Sequence, residues 1–503
     1  MNPNPSRIAL LLAVGLAAAA ARGRGADNVF DFEVLRFEAK MLAAKPFVPV
    51  PVNVPAPLLK LNYDQYRDIR FRPGESLWRR ERLPFELQFF HPGFNFDRTV
   101  QVNTVVGRSV EPVAFSPALF DYGANRIPSV PSTMGFAGLR ILYPLNKPGD
   151  ELGAFQGASY FRFLCQRANY GLSARGLAVN TGEPGGEEFP VFREFWVERP
   201  TADSKTLTVC ALLDGPSVAG AFRFRITPGA ETLTQVQEVL YCRTNPAVLG
   251  IAPLTSMFWH GKNTNKSYDD FRPEVHDSDG MMVFTGAGEW IWRPLTNPDS
   301  TRAASFSDEN PKGFGLLQRE RQFESYQDLE AYYHMRPSAW VEPMGPWGRG
   351  SVRLVELHAP DETYDNIAAF WVPASLPEPG EPIELNYRLH WFMDQVHPPA
   401  GYVTATRLGR TATQETGLER FFVDFGGTYL TQEGPDPKIE PVVSVGTGAA
   451  LVHATLQKNP FNGTWRAAFA IKPDGSGRPV ELRCFLRKTP HVLTETWSYL
   501  WQP

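Results

Sequence analysis

Forty-five prolines and 42 glycines cut this 503-residue chain into short apolar runs. Proline fixes φ and removes a backbone donor, and glycine weakens helices, so long helices are excluded over most of the length. The runs between are rich in Val, Phe, Leu, Tyr and Trp, the pattern of strands joined by turns. Residues 221–226 alternate apolar and charged side chains (Ala221, Phe222, Arg223, Phe224, Arg225, Ile226), which predicts a strand buried on one face. Further strands are expected at 206–213, 289–294, 352–357, 383–391, 421–425, 465–471 and 481–486. Two helices are expected. Residues 31–44 place Val34, Leu35, Met41 and Leu42 on a shared side before Pro46, and residues 325–334 form a shorter candidate before Pro337. The chain reads as all-β.

The length exceeds one ordinary core, which predicts two domains. The expected boundary lies at residues 392–400, where a strand ends and prolines follow; this gives a body over 27–393 and a C-terminal unit over 398–503. Residues 1–26 read as an export signal: a single positive charge, an apolar stretch over 8–21 and alanines for cleavage. No twin-arginine pair precedes the stretch and no cysteine follows it, so the expectation is a general secretory signal and an exported protein. Net charge is −4 with no basic block, which excludes nucleic acid as a partner class. Cys165, Cys210, Cys242 and Cys484 show no metal spacing and read as buried free thiols. No cofactor fingerprint or phosphate loop is found.

Two polar clusters lie between apolar runs. One is His276, Asp277, Ser278 and Asp279; the other is Asp361, Glu362, Tyr364, Asp365 and Asn366. Glycoside cleavage commonly takes two carboxyl groups, one protonated to release the leaving oxygen and one ionised to activate water. Crowded acids resist joint ionisation, which raises one pKa. The structural alternative is that Asp and Asn build turns and caps here, and that His276 is a satisfied internal histidine. Tyr332, Tyr333, Arg336 and Trp340 form a third group, read either as an aromatic platform beside a guanidinium or as a packed corner.

A long ordered set of motifs extends through these residues. It includes Leu87-Gln-Phe-Phe-His91, Gly135-Phe-Ala-Gly-Leu139, Gly157-Ala-Ser-Tyr-Phe-Arg162 and Tyr170-Gly-Leu-Ser-Ala-Arg-Gly-Leu-Ala178. It continues through Ala252-Pro-Leu-Thr-Ser-Met-Phe258, His276-Asp-Ser-Asp279, Gly288-Glu-Trp-Ile-Trp-Arg-Pro-Leu295, Arg336-Pro-Ser-Ala-Trp-Val341 and Thr494-Glu-Thr-Trp-Ser-Tyr499. From about Phe30 to the C-terminus the chain resembles the periplasmic glucan biosynthesis protein G/D family, the G branch more than the D branch. The resemblance implies a large N-terminal β-sandwich of the galactose-mutarotase-like supersandwich kind and a smaller immunoglobulin-like β-sandwich. It implies β-1,2-glucan as ligand and an inverting endo-β-1,2-glucanase as activity. A transglycosylase using the same site and a non-catalytic glucan-presenting protein are the alternatives. It places a general acid at Asp365 and a general base at Asp277, the latter acting through a relay of water and a substrate hydroxyl. Tyr333, Arg336, Glu362, Asp279 and Trp340 are the expected substrate-binding residues, with no metal. Membrane-bound glucan synthase or modifying enzymes, and a second copy of the chain, are the candidate partners. Residues 402–420 are the candidate lid.

Overall fold

The computed structural model describes residues 29–127, 129–264, 268–394, 398, 400–409, 417–432 and 438–503. The expected export signal at 1–26 lies outside them. The fold is all-β, and its main body is two large antiparallel-dominated sheets enclosing one core. A ten-stranded sheet runs from Glu86–Phe90 at one edge to Arg302–Glu309 at the other, and a fifteen-stranded sheet from Ser109–Pro112 to Glu440–Val445. Phenylalanines dominate the interior: Phe155 packs within 6.3 Å of Phe161, Phe163, Phe192, Phe195 and Phe224, mostly edge to face.

The expected alternation is present in the strand Val218–Thr227. Phe222, Phe224 and Ile226 are buried, while Arg225 is exposed. The seven other expected strands also form. The first expected helix spans Phe32–Ala43, capped by Asp31 accepting from the Val34 N–H at 2.9 Å. Its Leu35, Ala39 and Ala43 lie on the outer face of the fifteen-stranded sheet, against Trp196, Ala219, Ala221 and Tyr241. The second expected helix is corrected. Residues 325–334 hold only the end of one 3₁₀ turn (Phe323–Ser325) and the start of another (Tyr333–Met335). Gln327 and Tyr332 have positive φ, and Asp328 takes the N–H groups of Glu330 and Ala331, so the backbone cannot continue as a helix there.

The fifteen-stranded sheet is buried on both faces where it carries the C-terminal residues. Met281, Val283, Ile291, Leu316 and Val341 point into the main core. Their neighbours Met282, Trp292, Leu317 and Trp340 point the other way, into a second core with Phe421, Phe469 and Trp497. A four-stranded sheet (Tyr402–Gly409, Glu419–Gly426, Trp465–Pro473, Ala449–Lys458) completes this layer. The strand Thr496–Trp501 joins the large sheet in parallel beside Trp290–Pro294. Of the candidate lid, Tyr402–Gly409 and Glu419–Gly426 are paired strands, and 410–416 lie outside the described residues. All four cysteines are buried and free.

One buried ion pair ties the layers. Arg319 lies 3.5 Å over Trp292 and donates to both carboxylate oxygens of Glu495 at 2.6 and 3.0 Å, and to the Val403 carbonyl. Glu495→Gln leaves that guanidinium with a neutral partner. It is expected to lower unfolding free energy by about 2 kcal/mol, read from the denaturant midpoint.

Candidate active site

The two carboxyl clusters meet at one short stretch of backbone. Asp277 follows the two-residue strand Val275–His276, and its N–H donates to the Met257 carbonyl at 2.8 Å. The next residue along, Phe258, is held by Asn366: its N–H donates to Asn366 Oδ1 at 2.9 Å, and the Asn366 amide returns to the Phe258 carbonyl at 3.0 Å. Asn366 also donates to the Leu357 carbonyl at 3.1 Å, closing the loop that ends in Asp365. Met257 and Phe258 therefore fix Asp277 on one side and the Asp365 loop on the other.

Arg336 joins them. It donates to the Asp277 carboxylate, and its guanidinium lies 4.3 Å over the Tyr333 ring. The close approach depends on Gly171, where a Cβ would sit 2.8 Å from Arg336 Cβ. The Tyr333 hydroxyl donates to Glu362 at 2.7 Å, and Glu362 pairs with Arg272 at 2.6 Å. Arg272 also holds Asp270 at 2.7 Å and Asp328 at 2.8 Å. One guanidinium thus pins three loops, 268–274, 326–332 and 361–366.

Asp277 is buried, and its pKa is pushed up to about 6. Burial is the main cause; Arg336 opposes it, and the nearby charge of Asp365 adds to it. Asp365 is an exposed residue. The protein crowded behind it still raises its pKa, against the pull of Arg162, Arg175 and Arg336. Arg175 is locked by Thr255 at 2.8 Å and Glu187 at 2.5 Å, with the Tyr160 ring 4.8 Å away. Arg162 lies 4.2 Å over Tyr170. Two carboxyls with raised pKa, one sheltered and one facing solvent, can divide acid and base work between them.

The sequence motifs brought together here are Asp277, Asp365, Tyr333, Arg336 and Glu362. Two expected residues are placed elsewhere. Asp279 accepts from the N–H groups of Arg319 and Glu320, each at 3.0 Å, and lines a separate polar cavity of about 40 Å³ with Lys262, Glu274 and His276. Trp340 is buried in the second core, its ring stacked on Trp290, and is not one of the residues gathered around Asp277 and Asp365. Asp361 builds a turn, accepting from Thr363, and is half-buried away from these pairings. His276 is an internal histidine, its ring nitrogens 2.8 Å from Gln318 and 3.1 Å from Glu274. Among the described residues no cluster of His, Cys, Asp and Glu is arranged to hold a metal.

Arg162, Arg175 and Arg272 had no expected role. The available signal was an arginine inside the otherwise apolar strand Tyr160–Phe163, and another at the end of Ser173–Arg175. A guanidinium in a buried strand requires a partner, and a carboxyl is the usual one.

The cleft residues lie within a region matched by one family model. Residues 30–501 match the family described as periplasmic glucan biosynthesis protein, MdoG. The chain is 47% identical to a glucans biosynthesis protein G of Ralstonia nicotianae, over 98% of this chain and 99% of the relative. It is 44% identical to a protein of the same name in Bradyrhizobium diazoefficiens, covering 97% and 98%. A third, from Pseudomonas aeruginosa, is 43% identical over 93% of this chain and 92% of its own length. This chain belongs to the MdoG family of periplasmic glucan biosynthesis proteins.

Proposed function

We propose that this protein is an anomer-inverting endo-β-1,2-glucanase that shapes the glucan backbone in the periplasm, exported by a signal at 1–26. Membership of the family supports the broader role, glucan biosynthesis. The finer reading rests on one observation: Asp277 and Asp365 flank Met257 and Phe258, both with raised pKa, and both within the field of Arg336. Asp365, the exposed one, gives its proton to the bridging oxygen as the bond to the anomeric carbon breaks. Asp277, sheltered, receives a proton from the attacking water through a substrate hydroxyl. Tyr333 and Glu362 orient the sugar, and Arg336 holds Asp277 in place. Residues 27–393 are the glucan-active body and 398–503 the unit that backs it.

The test is incubation of the purified protein with linear β-1,2-glucan. Shorter oligosaccharides and new reducing ends, with initial products of inverted configuration, are expected. Longer or cyclic products without new reducing ends select a transglycosylase, and binding without any product selects a presenting protein.

Tyr333→Phe removes the hydroxyl that donates to Glu362 and keeps the ring under Arg336. It is expected to lower kcat/KM about five- to tenfold, the size of one hydrogen bond, with thermal stability little changed.

A further inference from the structure

Among the exposed large apolar or aromatic side chains of the described residues, Phe271, Leu329, Tyr332 and Tyr364 fall in the loops held by Arg272; others, Phe189 and Tyr429 among them, lie elsewhere. Phe271 is 77% exposed, Leu329 70% and Tyr364 56%. Each is next in sequence to a residue of the cleft. Phe271 lies between Asp270 and Arg272, Leu329 follows Asp328, Tyr332 precedes Tyr333, and Tyr364 precedes Asp365. Their loops are the ones that Arg272 pins together.

This placement is not the packing of a core, because Phe271, Leu329 and Tyr364 send most of their surface into water; Tyr332 is 37% exposed, its ring 6.2 Å from that of His334. Tyr332 moreover holds its backbone at φ 49°, a conformation rarely used by a bulky residue. Exposed apolar groups gathered on one rim mark a binding surface. The loops beneath are fixed by buried ion pairs and carboxylate-to-backbone hydrogen bonds, so the rim is held in shape before a ligand arrives.

We infer that Phe271, Leu329, Tyr332 and Tyr364 form an apolar collar that takes the flat C–H faces of glucose rings on either side of the bond to be cleaved. This deepens the glucanase reading and rests on it. A pyranose presents hydroxyls at its edge and C–H bonds on its faces. The cleft supplies carboxylates and guanidiniums for the edge, and the collar supplies what the faces need. Tyr364, adjacent to the proton donor, covers the ring nearest the scissile oxygen. Phe271 and Leu329, on the far loops of the clamp, cover rings farther along the chain. The collar therefore sets how long a glucan must be to bind well.

The experiment measures Kd and kinetics on linear β-1,2-glucan for wild type, Phe271→Ala, Tyr364→Ala and the double variant, with Phe461→Ala as control. Phe461 is exposed on a turn of the C-terminal unit and belongs to no part of the cleft. Each collar variant is expected to raise Kd and KM about tenfold, the scale of truncating an aromatic anchor, with a smaller effect on kcat. The penalty should shrink for the shortest oligosaccharides that are still bound, since they reach fewer collar residues. Phe461→Ala should match wild type. Unchanged Kd and KM in the double variant, with an unaltered melting temperature, overturn the collar. If wild type binds glucan without cleaving it, the glucanase reading fails and the Kd values alone decide the collar. If wild type does not bind, both fail.

Discussion

Asp365→Asn is expected to lower turnover of linear β-1,2-glucan by about 10²–10⁴-fold, the ordinary worth of a positioned proton donor. The leaving sugar oxygen is a poor leaving group until protonated, and an amide has no acidic proton to give. The fold should not suffer. No side-chain hydrogen bond to Asp365 is found among the described residues, and the residue is exposed. Melting temperature and glucan Kd should therefore stay near wild type while kcat collapses, which separates loss of chemistry from loss of structure. The pH profile adds a second check. A general acid works protonated, so wild-type activity is expected to fall as pH rises through the raised pKa of Asp365. Arg162, Arg175 and Arg336 hold that pKa down, so Arg162→Met should move the alkaline limb to higher pH. Equal product formation by wild type and Asp365→Asn removes Asp365 as the acid.

The strands and the first helix were legible because local chemistry decides them. Phe222, Phe224 and Ile226 alternate with arginines, and Asp31 is a cap residue before an apolar face. The faces of the strands around the second core were not legible. Ser338, Ala339, Trp340 and Val341 are all buried, since Ala339 and Val341 meet the main core while Trp340 meets the second. A sheet covered on both sides loses the period of two that tells inside from outside, so Trp340 read equally well as platform or core. The same limit separates Asp277 from Asp279. They are two residues apart, yet the chain passes between them from the short ladder with Phe258–His260 to the large sheet beside Leu317, and Asp279 lines a cavity with Lys262 and Glu274 while Asp277 pairs with Arg336. The Arg272 clamp was beyond reach for another reason: Asp270 is two residues away, but the other partners, Asp328 and Glu362, come from loops distant in sequence, and nothing local records their convergence. The positive φ of Gln327 and Tyr332, which ends the second expected helix, likewise depends on tertiary contacts such as the seating of Tyr333 under Arg336.

Asp277→Asn is expected to be less active and more stable at once. In the proposed role of base, Asp277 would work ionised. Its pKa of about 6 makes wild-type activity fall about tenfold per pH unit once the pH drops below that value, in a limb that belongs to the coupled pair with Asp365. Replacing it by Asn should cost about 10²–10⁴ in kcat near neutral pH and abolish the acid limb, because no carboxyl remains to titrate there. The stability effect has the opposite sign. In the unfolded chain this carboxyl has an ordinary pKa of 3.8, and folding raises it, so the folded state holds the proton more tightly. Its favourable contribution is complete below the unfolded value and is lost as pH climbs through about 6; above that the fold carries a buried, ionised carboxylate. Asn removes this penalty, although Arg336 loses a charged partner. The net gain near pH 7.5 should be on the order of 1–3 kcal/mol in unfolding free energy, shrinking toward zero near pH 4. Chemical denaturation at the two pH values measures it. A variant equally destabilised at both would show that Asp277 serves chiefly to hold Arg336. A gain at pH 7.5 alone, together with the lost acid limb, identifies a carboxylate that the fold tolerates at a cost because the reaction uses it.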